Sequence, residues 1–407
     1  MKKNKQIINA VFGFSISITI VSTIAIIFPA LLVALSVNYE ISISPFELGA
    51  WAIPFFIVNI FILGFGLMYF YSDRQSKIHN AIKFIQNFEI SKKVTLFCIL
   101  IILAVYIVFT IDELNFDEKQ QWADYSRIEP VLERFPSLQK LGNEDIVYVK
   151  NSLLFASLVI FDNVKVMPFL GAISLSLMTY FFTQKIAQKR FSGIVAMIIL
   201  LQSSNFLLYD TAATYSYFWV LFYLLSLYFV FKTWYLSPVF FILSIFSKPL
   251  SFSFLPLTLF LLYRADIPKR KKILIFYSYM IILAVVLTTI FVGIDFVGGI
   301  NLPELKFDTD DFIMGFTAWV YQLRNDLVIL LFLLPLIVTL FLRSRKDSTR
   351  FDTMMVLITG TLLLSGPLLV AFTDYNIFPY RYVPFIVFFA IGVGFLVGKS
   401  KTINLEV

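Results

Sequence analysis

Long apolar runs alternate with short polar segments along this chain, and most of the runs are near the length that crosses a bilayer. A helix rises about 1.5 Å per residue, so about 20 apolar residues cover the hydrocarbon layer, where the backbone must satisfy its own hydrogen bonds. The pattern predicts helices near 8–36, 48–71, 94–111, 164–183, 191–209, 213–231, 236–247, 249–263, 273–294, 326–343, 354–372 and 382–398. The expected fold is an all-α polytopic membrane protein with about twelve transmembrane helices. Two of these runs, 236–247 and 249–263, reach only about 18 and 22 Å. They flank "SKP" at 247–249, where Pro249 disfavours a continuous helix. Lys248 is thereby placed at or below the outer interface, where a cation needs a neutralising partner.

One polar segment has a pattern of its own. In "SKIHNAIKFIQNFEISKK" the residues Ile78, Ile82, Phe84, Ile85 and Phe88 recur at helical spacing, which predicts an amphipathic helix lying on the membrane surface. A helix that binds a partner protein is the other reading. This segment and the two helices before it form an N-terminal region, 1–93, ahead of a transmembrane core, 94–407.

Composition agrees with the pattern: of 407 residues 59% are hydrophobic and 47 are Phe, and the mean hydropathy is +0.84. The net charge of +7 does not turn the chain into a nucleic-acid binder, because its Lys and Arg fall in short loops between helices. With the N-terminal lysines in the cytoplasm, loops 73–93, 184–190, 232–235, 264–272, 343–352 and 399–407 fall on the same side, and all are basic. Both termini are therefore expected inside. The first apolar run is too long for a cleavable signal and lacks a small-residue cleavage site. Lone Cys98 can form no internal disulfide, and the single histidine, His79, leaves no basis for a histidine-built metal or catalytic site.

The outward segments carry the acidic residues. Loop 112–150, interrupted by Pro130 and Pro136, opens with Asp112-Glu113 and Asp117-Glu118; loop 295–325 carries "FDTDDF", and loop 373–381 reads "TDYNIFPYR". A carboxylate at a helix exit, partly desolvated, can act as a general base. Lys248 and Arg381, at the same predicted membrane level, suit an anionic lipid phosphate. Carboxylates at an interface also simply solvate helix ends, and such cations also snorkel. Asp308, Asp310 and Asp311 read as a solvated face or as a divalent-cation cluster; no resident metal or other cofactor is assigned.

From residue 94 onward the chain resembles the GT-C superfamily of integral-membrane glycosyltransferases, in particular the branch of protein O-mannosyltransferases and aminoarabinose transferases. "DELNF" gives the acidic pair Asp112-Glu113 and the aromatic Phe116 three residues after Glu113; in the second pair Gln121 takes the aromatic position, so Asp112 is the better match. "SLSLMTYFFTQKIAQKRFSGIVAMIILLQSSNFLLYDTAATYSYFWVLFYLLSLYFVF", "ILSIFSKPLSFSFLPLTLFLLYR" and "FPYRYVPFIVFFAIGVGF" follow in the family's order. The two helices before residue 94 lie outside the family's usual core, and no counterpart of the large C-terminal soluble domain of some members is expected within residues 94–407. The resemblance implies transfer of a sugar from a polyprenyl-phosphate donor to an acceptor hydroxyl on a protein, lipid or glycan at the outer face. It implies Asp112 as base with Glu113 beside it, and Lys248, Arg381, Tyr380 and Tyr382 around the donor phosphate. A transporter, flippase or polymerase of lipid-linked sugars, or a noncatalytic subunit on the same scaffold, are the competing readings. A transporter would be expected to show internal repeats, and none is evident.

Overall fold

The computed structural model describes residues 2–35, 44–71, 77–134, 148–291, 306–345, 348–372 and 378–398. Every regular element among them is helical. The first half of the chain forms α1 (Lys2–Ile27), α2 (Pro29–Ala34), α3 (Ala52–Tyr71), α4 (Lys77–Asn87), α5 (Lys92–Thr110), α6 (Glu118–Gln121), α7 (Tyr125–Arg134), α8 (Tyr148–Phe161), α9 (Val166–Ala187) and α10 (Arg190–Leu201). The second half forms α11 (Ser204–Tyr209), α12 (Phe218–Phe231), α13 (Leu236–Ser247), α14 (Leu255–Arg264), α15 (Lys269–Phe291), α16 (Thr309–Gln322), α17 (Leu327–Ser344), α18 (Ser348–Ser365), α19 (Pro367–Phe372) and α20 (Val383–Leu396). Among the described residues, seven helices are long and apolar enough to cross a membrane: Lys5–Ile27, Ala52–Tyr69, Lys92–Asn115, Val166–Ala187, Lys269–Thr288, Leu327–Ser344 and Pro379–Leu396. The protein is thus a polytopic helical membrane protein. Other apolar helices, such as Arg190–Leu201 and Phe218–Phe231, are shorter than a span.

The chain forms two compact units. One comprises residues up to Ile99, Thr179–Asn205 and the chain from Lys306 onward; the other comprises Leu100–Met178 and Phe206–Leu305. In the first unit α1 packs along α17 and α18, and α3 along α17. The N-terminal helices thus share a core with C-terminal ones. Polar groups tie these helices across their faces. The Ser15 and Thr359 hydroxyls lie 3.1 Å apart, and Asn59 Nδ2 donates to the Leu331 carbonyl at 3.1 Å. Such bonds between membrane helices are worth about 0.6 kcal/mol on average. Small residues bring α10 and α20 together: a Cβ on Gly394 would lie 2.5 Å from the Ser192 carbonyl oxygen and 2.9 Å from the Ala196 methyl.

Lys189, only 1% exposed, lies in the same unit just ahead of α10. Its ammonium donates to the carbonyls of Ile85 (2.8 Å), Gln86 (3.1 Å) and Val397 (2.8 Å), the C-terminal ends of α4 and α20. Helix C-termini carry partial negative charge and unsatisfied carbonyls, so one cation closes two helices. Arg343 donates to the Leu396 carbonyl and Arg350 to that of Ile186 (2.9 Å), in the same manner. The basic residues expected only to orient the chain are also helix caps. The amphipathic segment is helical as α4, with Phe84, Ile85 and Phe88 exposed.

In the second unit α12 packs on α13, where Ser244 donates to the Trp219 carbonyl at 2.8 Å, and the Tyr279 hydroxyl meets those of Ser226 (2.8 Å) and Ser237 (2.9 Å). The break read from "SKP" is present. α13 stops at Ser247, Lys248 is extended, and Pro249 opens a 3-10 turn to Phe254 before α14 begins. The segment after α5, expected as an outward loop over 112–150, contains α6 and α7, with Pro130 inside α7, and α8 begins at its end. The loop expected over 295–325 contains α16. Residues 292–305 and 373–377 of the outward loops, Pro136, and the C-terminal segment 399–407 lie outside the described residues.

Candidate functional site

The acidic pair sits where α5 tightens into a 3-10 turn, Ile111–Asn115. With three residues per turn, neighbouring side chains point about 120° apart. Asp112 is exposed, whereas Glu113 turns inward, where its Oε2 accepts from the Thr211 hydroxyl at 3.2 Å. The second acidic pair has a different use. Asp117 is the N-cap of α6, its carboxylate accepting from the Lys119 amide at 2.9 Å, and Glu118 is buried at 4% exposure. Glu118 Oε1 accepts from both the amide and the hydroxyl of Thr214, each at 2.9 Å.

Beneath this turn lies Lys165, 1% exposed, at the start of α9. Its ammonium donates to the Glu113 carbonyl at 3.2 Å and to the Gln121 side-chain carbonyl, and stands 3.7 Å from Glu118 Oε2. Burial pushes the Lys165 ammonium below its ordinary pKa, and the carboxylates of Glu118 and Glu113 oppose that shift. The backbone around Lys165 is fixed as well: Asn163 accepts from the Lys165 amide at 2.9 Å and donates to the Leu114 carbonyl at 2.9 Å. One lysine and one asparagine therefore hold two successive carbonyls of the acidic turn, Glu113 and Leu114.

Segment 209–217, "YDTAATYSY", forms the opposing wall. Residue by residue it grips the chain from 106 to 124. Asp210 accepts from the Tyr106 hydroxyl at 2.6 Å, Thr211 and Thr214 hold Glu113 and Glu118, and the Tyr215 hydroxyl donates to Asp124 at 2.7 Å. Lys150 secures the segment from behind, donating to the Thr214 carbonyl at 2.5 Å. Asp210 is 1% exposed, and burial pushes its carboxyl up to about 8, although the Tyr106 hydrogen bond opposes the shift. Near neutral pH it is therefore largely protonated.

Of the residues expected around a donor phosphate, Lys248 belongs to this unit, with its ammonium 5.2 Å above the Trp219 ring. Arg381, Tyr380 and Tyr382 belong to the first unit. There Arg381 lies 5.7 Å from the centre of the Phe378 ring, Tyr380 is buried, and Tyr382 is fully buried against Gly366. Asp308 caps α16, accepting from the amides of Asp310 (2.8 Å) and Asp311 (3.0 Å), so "FDTDDF" is a helix start. Among the described residues no three His, Cys, Asp or Glu side chains are grouped to hold a metal.

Sequence reading singled out Asp112 and Glu113 and weighed Glu118 only as part of the second acidic pair, but missed Lys165, Asp210, Tyr106 and Thr211. Two signals were available: an aspartate within the apolar-aromatic stretch from Phe206 to Phe231, and a lysine immediately before a span. Comparison with known proteins returns no matching family model, no matching curated protein and no matching solved structure.

Proposed function

We propose that this protein is a glycosyltransferase that moves a sugar from a polyprenyl-phosphate-linked donor to an acceptor hydroxyl at the outer face of the membrane. The observation that carries this reading is the acidic turn, in which Asp112 is exposed while Glu113 is held by Thr211 over the buried Lys165. An exposed carboxylate can meet an incoming hydroxyl and take its proton, and the fixed neighbour sets the geometry of the turn. The acceptor oxygen then attacks the sugar's anomeric carbon, and the lipid phosphate leaves with the bonding electrons. Lys248, at the hairpin break, is the cation of this unit assigned to the leaving phosphate. Arg381, Tyr380 and Tyr382 stand in the first unit and are left out of this reading of the second. The shorter apolar helices complete about twelve membrane segments, with both termini in the cytoplasm.

The test uses purified protein in liposomes with decaprenyl-phosphate-linked sugars and a panel of hydroxyl acceptors. Replacing Asp112 by Asn keeps the volume and removes the base, so turnover should fall by about 100-fold or more. Unchanged turnover in Asp112→Asn would remove Asp112 from the chemistry. Absence of transfer by the wild type with every sugar and acceptor would remove glycosyl transfer itself.

A further inference from the structure

Beside the acidic turn three aromatic rings meet. The centres of Trp122 and Tyr209 are 5.0 Å apart at an interplanar angle of 31°, those of Trp122 and Tyr215 are 5.1 Å apart at 86°, and those of Tyr209 and Tyr215 are 5.4 Å apart at 86°. Tyr209 is buried, whereas Trp122 and Tyr215 are half-buried. One apolar cluster of the unit gathers Tyr125, Leu132, Leu154, Val164, Ala213 and Phe218. The three rings are linked to the site through the chain itself. Trp122 follows Gln121, which accepts from Lys165, and Tyr209 precedes Asp210. At their rim Asp124, half-buried, accepts from the Tyr215 hydroxyl at 2.7 Å.

We propose that Trp122, Tyr209 and Tyr215 form a stacking subsite for the pyranose ring of the donor, an inference that rests on the glycosyl-transfer reading above. A pyranose has a face of C–H bonds, which an aromatic π face accepts, and a rim of hydroxyls that need polar partners. Ligand sites have this division, with aromatic surface for area and a few polar groups for orientation. Trp122 supplies the platform and Tyr209 the rigid backing. Tyr215 is the side wall, and the Asp124 carboxylate with the Tyr215 hydroxyl takes the sugar hydroxyls at the rim. Trp and Tyr also anchor proteins at membrane interfaces. An anchor would treat a lipid phosphate alike whether or not it carries a sugar, and the subsite would not.

The experiment therefore measures equilibrium binding of two probes to the full-length protein in detergent: decaprenyl phosphate alone, and decaprenyl phosphate carrying mannose or glucose. The wild type should bind at least one sugar-bearing lipid more tightly than the bare lipid. Trp122→Ala should weaken binding of that lipid by about tenfold or more and leave the bare lipid within about twofold, while Trp122→Phe keeps most of the affinity. Should Trp122→Ala fold poorly, as judged by its thermal midpoint, Tyr215→Ala carries the same expectation. Equal loss for both probes, or no loss for either, would overturn the subsite and make the rings an anchor or loop packing. Because binding is read without turnover, a wild type that discriminates the sugar but transfers nothing would leave the subsite standing and remove the enzyme reading. Transfer that survives unchanged in Trp122→Ala would do the reverse.

Discussion

Lys165 in the second unit and Lys189 in the first are buried to the same 1% exposure, yet they are neutralised differently. Both follow a helix that ends on a left-handed residue, Asp162 (φ 52°) before Lys165 and Gln188 (φ 54°) before Lys189, so in each case a sharp turn drives the lysine inward. Lys189 meets the carbonyls that end α4 and α20. Lys165 meets a carboxylate, a side-chain amide and one main-chain carbonyl. The carbonyls around Lys189 keep their partial charge at any pH. The Lys165 junction includes the carboxylate of Glu118, an ionisable side chain. The two buried lysines thus differ in these partners: backbone carbonyls around Lys189, and an ionisable side chain among those around Lys165.

The largest effect expected from breaking this comparison is at Lys165. Lys165→Met leaves Glu118 buried without its cation and should lower unfolding free energy by about 3–5 kcal/mol, read from denaturant or thermal unfolding in detergent. Adding Glu118→Gln should restore much of that loss. If the double variant is no more stable than the single one, the two residues are not a coupled pair. Lys189→Met should cost about 2–3 kcal/mol, since carbonyls at two helix ends lose a charged donor. No substitution of a single carboxylate should rescue it.

Asp210 supplies a pH test. Its folded-state pKa of about 8 lies above the ordinary carboxylate value of about 3.9, so between these pH values the folded protein binds more protons than the unfolded chain. Stability contributed by the protonated Asp210 is thus full below about pH 4 and declines as pH rises toward 8, by at most about 1.4 kcal/mol per pH unit. Asp210→Asn keeps a neutral partner for Tyr106 and should flatten that slope. An unchanged slope would mean that other groups set it. The smallest effect concerns the opposite end of a helix: Asp308→Ala, which removes the N-cap of α16, should cost about 1 kcal/mol and leave binding of lipid-linked sugars unaltered.

Hydropathy makes the spans legible because lipid solvation acts on each run locally, and proline chemistry makes the break at Lys248-Pro249 legible in the same way. α8 was not legible. Its 14 residues begin inside a charged stretch, and the run is too short to be recognised as a span. The site was only half legible. Asp112-Glu113 announces itself as charge at the end of an apolar run, but Lys165 reaches the Glu113 carbonyl across 52 residues, and Thr211 reaches the Glu113 carboxylate across 98. No local period records pairings at such separations. Lys189 was read as one charge of a basic loop, because nothing in its neighbours shows that two helix ends converge on it.

That convergence also sets an order of events during synthesis. Ile85 and Gln86 leave the ribosome before Lys189, and Val397 leaves after more than half of the chain has followed it. Until Val397 emerges, the ammonium of Lys189 lacks one of these three carbonyls. The Lys189 junction is thus completed only when the polypeptide is nearly finished, and a chain truncated before Val397 would leave Lys189 with two of these three carbonyls.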